Sequence, residues 1–90
     1  MNVLQTSTFV RQVKKINKNQ KIDLDEAVEK IIKNPSIGTI KKSDLCGVRV
    51  YKFKMVNQLT LLAYEFHSQD ELLILLAMGS HENFSRDLKR

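Results

Sequence analysis

The spacing of apolar positions changes character about halfway along the chain. From Ser7 onward, Phe9, Val10, Val13 and Ile16 fall at i, i+1, i+4 and i+7, with Arg11, Lys14, Lys15 and Lys18 on the other face. That pattern predicts an amphipathic helix capped by Thr6 or Ser7. Residues 17–21 read as a polar break. Leu24, Ala27, Val28, Ile31 and Ile32 then recur at i, i+3, i+4, i+7 and i+8, the strongest helical periodicity in the sequence. Asp23 is placed to cap this second helix, with Glu26 at its third position and Ile22 and Ala27 as a hydrophobic staple. Pro35 lacks an N–H and disfavours the helical region for Asn34, so the helix ends there. Two helices joined by about five residues form a hairpin whose apolar faces need a partner.

Residues 47–84, GVRVYKFKMVNQLTLLAYEFHSQDELLILLAMGSHENF, supply that partner. In the first strand Arg49, Tyr51, Phe53 and Met55 share one face and Val48, Val50, Lys52 and Lys54 the other. A second strand is expected over 59–66. The third, LLILLAMG at 72–79, is apolar throughout and suits a strand covered on both faces near the middle of the sheet. The short polar breaks at 56–58 and 67–71 favour an antiparallel meander. Val3-Leu4-Gln5 reads as a brief edge strand, residues 36–46 as a charged surface loop, and the end of the chain as a short helix capped by Ser80. The expected fold is α+β, a single domain over residues 1–90: an N-terminal α-helical hairpin packed on an antiparallel β-sheet of three to four strands, with a short C-terminal helix.

A domain of 90 residues buries about two thirds of its unfolded surface, enough for one core without disulfides or metal. Fifteen Lys and Arg against 10 Asp and Glu give a formal charge of +5, which favours polyanionic partners. No apolar run approaches the roughly 18 residues of a membrane span, and the N-terminus lacks the basic and apolar regions of a signal peptide. A cytoplasmic location without membrane association is expected, and the single cysteine, Cys46, fits a reducing compartment.

Three glycines form no phosphate-binding loop, and the sequence has neither a C-x-x-C nor an H-E-x-x-H pair. Its two histidines make a poor metal site, so no cofactor and no metal is expected. What remains is a basic surface with His81 beside it. An imidazole of reference pKa about 6.5 can take or give a proton at neutral pH, as chemistry on a ribose hydroxyl or phosphate ester demands. Lys52 and Lys54 are placed to neutralise a phosphate and the charge developing on it. Phe84, one helical turn past His81, is a candidate for stacking on a base, and Arg49 and Arg86 for phosphate contacts. Each has a plainer alternative: a capping histidine, a solvated lysine edge, a core phenylalanine, a snorkelling Arg49 and a helix-end Arg86. Tyr51 and Tyr64 read as core-edge residues and His67 as part of a turn.

The succession of helix, helix, Lys-rich connector, GVRVYKFK strand, LTLLAY strand, apolar strand and terminal GSHENFSRDL resembles the RelE/ParE superfamily of bacterial toxins over nearly the whole chain. Within it the ending, a glycine two positions before a histidine with Phe three further on, is most similar to the YafQ-like mRNA interferases. The resemblance implies a microbial RNase-like fold, an antitoxin partner encoded in the same operon, and ribosome-dependent cleavage of mRNA. It places His81 on the C-terminal catalytic position, Lys52 and Lys54 on the catalytic basic strand, and Phe84 on the aromatic near the substrate. The arginine that RelE carries in a Y-R-x-x-Y context is absent, replaced by Thr60-Leu61-Leu62-Ala63-Tyr64. YafQ-like proteins also use further histidines that this chain lacks, which leaves the general base open between His81 and a lysine. The alternative within the superfamily is a ParE-like DNA gyrase inhibitor without catalytic activity; a third reading is a member that only binds its antitoxin.

Overall fold

A computed structural model describes residues 1–40 and 47–80 of the chain. The elements run β1 (Asn2–Gln5), α1 (Ser7–Lys15), α2 (Lys18–Lys33), a 3₁₀ turn (Pro35–Ile37), β2 (Thr39–Ile40), β3 (Arg49–Met55), β4 (Gln58–His67), a second 3₁₀ turn (Ser68–Asp70) and β5 (Leu72–Ser80). The expected terminal helix lies outside the described residues.

Thr6 caps α1, its Oγ1 accepting from the Phe9 N–H at 3.1 Å. Helix α2 begins earlier than expected. Asn17 and Gln20 form a reciprocal capping box, each side chain accepting from the other's backbone N–H at 2.9 Å. Residues 17–21 are therefore a cap and a first helical turn, not a break, and only Ile16 and Asn17 separate the helices. Asp23 serves elsewhere: its Oδ2 accepts from Val56 N–H at 2.8 Å, tying α2 to the β3–β4 turn. The helix ends at Lys33 with Asn34 as C-cap, just before Pro35.

The sheet has five strands in the order β1-β5-β4-β3-β2, a correction to the expected three to four. The meander β3-β4-β5 forms as read from the sequence; β1 adds parallel to β5, and β2 pairs with β3 through Thr39–Val50 and Ile40–Arg49. A strand as short as β2 inside a polar connector carries no periodicity to read.

The centre of the sheet is β4, whose residues Thr60 to Tyr64 are all buried, with β5 one position out. On β5 the helix-facing side is buried and the other only half-buried, so the expectation of full cover on both faces is corrected as well. A bulge explains how the helix side stays apolar. Ala63 pairs with Ala77 but Tyr64 with Leu75, so Leu76 is an extra residue that resets the alternation and lets Leu73, Leu75 and Met78 all face the helices. The Leu76 carbonyl accepts from Thr6 Oγ1 at 2.6 Å.

The main core lies between helices and sheet, where Phe9, Leu24 and Ile31 meet Met55, Leu62, Tyr64, Leu73, Leu75 and Met78. Burying each such large aliphatic side chain contributes about 1.5–3 kcal/mol relative to exposing it. A smaller cluster, Val48, Val50, Leu61 and Ala63, occupies the opposite face. Among the described residues no helix is long and apolar enough to cross a membrane.

Candidate nucleic-acid interface

The two faces of β3 divide its work. Tyr51, Phe53 and Met55 pack on the main core, with the Tyr51 and Phe53 rings stacked at 6.1 Å between centroids. Val48 and Val50 anchor the opposite face, and beyond them Lys52 and Lys54 are exposed. That parity agrees with the sequence. Among the described residues the ion pairs are Lys21–Asp25 and His67–Glu65, so neither Lys52 nor Lys54 is neutralised by a described carboxylate within 4.0 Å. Lys54 also lines a small polar cleft against α2 with Asp23, Glu26 and Lys30.

The register brings Lys52 towards the end of β5. Lys52 pairs with Leu61, which pairs with Gly79 on its other side, and Thr60 pairs with Ser80. With strands about 4.8 Å apart, the Lys52 backbone lies roughly 10 Å from that of Gly79. His81, Phe84 and Arg86 lie outside the described residues. Ser80, the last described residue, ends β5 at this end of the sheet, and His81 follows it in the sequence.

Arg49 is half-buried and turned to the connector, where its Nη1 donates to the carbonyl of Gly38 at 2.9 Å. The same connector is held by Tyr64, a residue with no exposed surface. Its hydroxyl donates to Pro35 O at 2.6 Å and accepts from Gly38 N–H at 2.9 Å. Burial raises the Tyr64 pKa above 10.0, opposed by the Gly38 hydrogen bond and by the Arg49 charge. Tyr64 is thus an interior clamp and not a core-edge residue. His67 ends β4, exposed, with Nε2 3.1 Å from Glu65 Oε1.

Gln12 carried no signal in the sequence, because nothing local connects α1 with a residue 66 positions away. Its Oε1 accepts from Met78 N–H at 2.8 Å, so α1 continues the edge bonding of β5 where β1 stops at Leu75.

A small basic domain with two helices on one side of a five-stranded sheet, and a lysine pair displayed on the other, has the architecture of the small toxins resembled by its sequence. Residues 3–89 match the family model described as ParE-like toxin of type II bacterial toxin-antitoxin system, and the chain belongs to that family. The fold is also that of several solved structures. In the RelBE2 toxin–antitoxin complex from Mycobacterium tuberculosis, the match has a TM-score of 0.76 at 17% identity, covering 89% of this chain and 96% of the other. The isolated E. coli RelE toxin matches with a TM-score of 0.69 at 16% identity over 99% of this chain and 96% of the other. The YoeB/ParE toxin from Agrobacterium tumefaciens gives 0.70 at 11% identity over 90% and 99%. No curated protein sequence matches the chain.

Proposed function

We propose that this toxin is a ribosome-dependent mRNA endonuclease that inhibits translation without a metal. The observation that carries the reading is the exposed Lys52–Lys54 pair on the sheet face opposite the helices, at the sheet end that leads into His81. In the reaction a ribose 2′-oxygen attacks the adjacent phosphorus, forming the O2′–P bond, and the P–O5′ bond breaks to leave a 2′,3′-cyclic phosphate and a 5′-hydroxyl. His81 moves the proton between these oxygens while Lys52 and Lys54 stabilise the added negative charge of the phosphorane. Phe84 and Arg86 supply further RNA contacts, with Arg49 contributing only as far as its bond to Gly38 allows. A site this sparse gains from a ribosome that aligns the RNA, since alignment supplies a large share of barrier reduction. The YafQ-like part of the reading rests on Gly79, His81 and Phe84 in the sequence.

The partner is an antitoxin encoded beside the toxin. Relatives of this fold occur as toxin–antitoxin complexes from E. coli and M. tuberculosis, and a +5 domain invites an acidic, flexible segment that neutralises its lysines.

Primer extension on a reporter mRNA after induction of the gene tests the reading. Discrete cleavage stops that vanish when the reporter is not translated are expected, and His81→Ala should end growth arrest while leaving the fold intact. A fully toxic His81→Ala would refute the acid–base role. The family model's ParE-like description favours a second reading, inhibition of DNA gyrase. Induction of DNA-damage signalling with reporter mRNA left uncut would establish that reading in place of the first.

A further inference from the structure

Around the same end of the sheet, but on the helix side, a cleft of about 180 Å³ opens between α1 and the ends of β3, β4 and β5. Ile16 and the buried residues Met55 and Met78 line it together with Gln12, Lys15 and Gln58, the Gln12 amide oxygen being held by Met78 N–H. Lys15 belongs to a ridge. Arg11, Lys14 and Lys15 stand at i, i+3 and i+4 of α1, all exposed, and extend along roughly 6 Å of helix. None pairs with a described carboxylate, and the first carboxylate in the whole chain is Asp23.

This combination selects its ligand. Protein interfaces are depleted in lysine, whereas α1 exposes Arg11, Lys14 and Lys15 and, among its large apolar residues, only Val10 at 36%. A row of long cationic side chains suits phosphates. An apolar, polarizable lining beside the Gln58 amide suits a flat ring with a hydrogen-bonding edge. Both requirements meet in a nucleic acid whose bases are unpaired, the ordinary state of RNA loops and single strands.

We propose that the α1 cleft takes an unpaired nucleobase of single-stranded RNA whose phosphates lie along Arg11, Lys14 and Lys15. The site binds and performs no chemistry, so it stands or falls independently of the nuclease reading. Because the cleft and the Lys52–Lys54 face flank one end of the sheet, a single strand passing over that end would occupy both.

The test uses the full chain and a 2′-O-methyl tetraribonucleotide, which lacks the attacking hydroxyl and stays uncut. Methyl resonances of Met55 and Met78 should shift upfield under the ring current of the bound base. An analogue with the central base removed and all phosphates retained should leave those resonances in place and bind about tenfold more weakly, the scale of one lost stacking contact. Lys14→Glu with Lys15→Glu should weaken binding at least as much, with unchanged circular dichroism. Lys33→Glu, a charge reversal at the far end of α2, should change it less than twofold. Equal binding of the abasic analogue, unmoved methionine methyls, or an equal loss in Lys33→Glu would overturn the proposal. An acidic peptide giving the same methyl shifts would reassign the cleft to a protein partner.

Discussion

At the scale of single residues, Tyr64 and Gly38 make the tightest demand. A β-carbon on Gly38 would stand 2.6 Å from the Tyr64 hydroxyl oxygen and 2.9 Å from Cε1, closer than atoms tolerate, so only glycine lets the connector reach the phenol. Gly38→Ala should destabilise the protein by about 1–3 kcal/mol through overpacking. Tyr64→Phe leaves the Gly38 N–H and the Pro35 carbonyl unpaired in the interior, for a loss of about 1–3 kcal/mol in urea unfolding. The phenol also sets a pH signature. Burial raises its folded pKa above the unfolded 10.0, so the folded state holds the proton after the unfolded chain has released it. Its contribution to stability is complete below pH 10 and is lost as pH rises towards and through the folded value. Comparing the alkaline limbs of unfolding curves for wild type and Tyr64→Phe isolates this group from the lysines, and the variant's limb should be the shallower. None of this was legible in the sequence, where Tyr64 differs from Tyr51 only by its position in an apolar run. Its partners lie 26 and 29 residues earlier, in a connector with no pattern of its own.

At the scale of elements, periodicity revealed what is local and missed what is shared between elements. The helical stripe of α2 and the alternation of β3 were legible because each is written in consecutive residues. The start of α2 was misplaced because two capping boxes compete, Asn17 with Gln20 and Asp23 with Glu26. The first adds residues 18–23 to the helix, and Asp23 is thereby released for the β3–β4 turn. That turn needs help. Val56 and Asn57 have φ of 49° and 68°, the two-residue hairpin geometry that favours Asn and Gly, and a β-branched valine fits it poorly. The bond from Val56 N–H to Asp23 holds the strained residue in place. Val56→Asn keeps that N–H and should stabilise the protein by about 1 kcal/mol. Asp23→Ala should cost about 1 kcal/mol in wild type, and less in the Val56→Asn background, where the turn no longer depends on the carboxylate. Thermal unfolding of the four-member cycle measures that coupling; strict additivity would show that the carboxylate and the turn act independently.

At the scale of the whole molecule, the candidate cations and the core-forming side chains occupy opposite faces of one strand, and this half of the candidate site was legible because it too has period two. Lys52 and Lys54 were readable as a pair; the fixing of Arg49 to the Gly38 carbonyl was not, since that contact closes only once the connector folds back. The separation of faces predicts a separation of phenotypes. Tyr51 and Phe53 pack on the main core while Lys52 and Lys54 between and beside them face solvent without a described ion pair. Exposed substitutions of that kind change stability by about 0.5 kcal/mol or less, whereas removing cations that meet a developing phosphorane charge costs orders of magnitude in rate. Lys52→Ala with Lys54→Ala should therefore leave the unfolding midpoint within about 2–4 °C of wild type and abolish growth arrest. Phe53→Ala should do the reverse in kind, losing about 2–4 kcal/mol of stability because a partly buried ring leaves the core. Growth arrest and thermal melting measured on the same three proteins decide the matter. A toxic double-lysine variant with an unchanged melting curve would remove the catalytic role from β3 and leave it a structural strand.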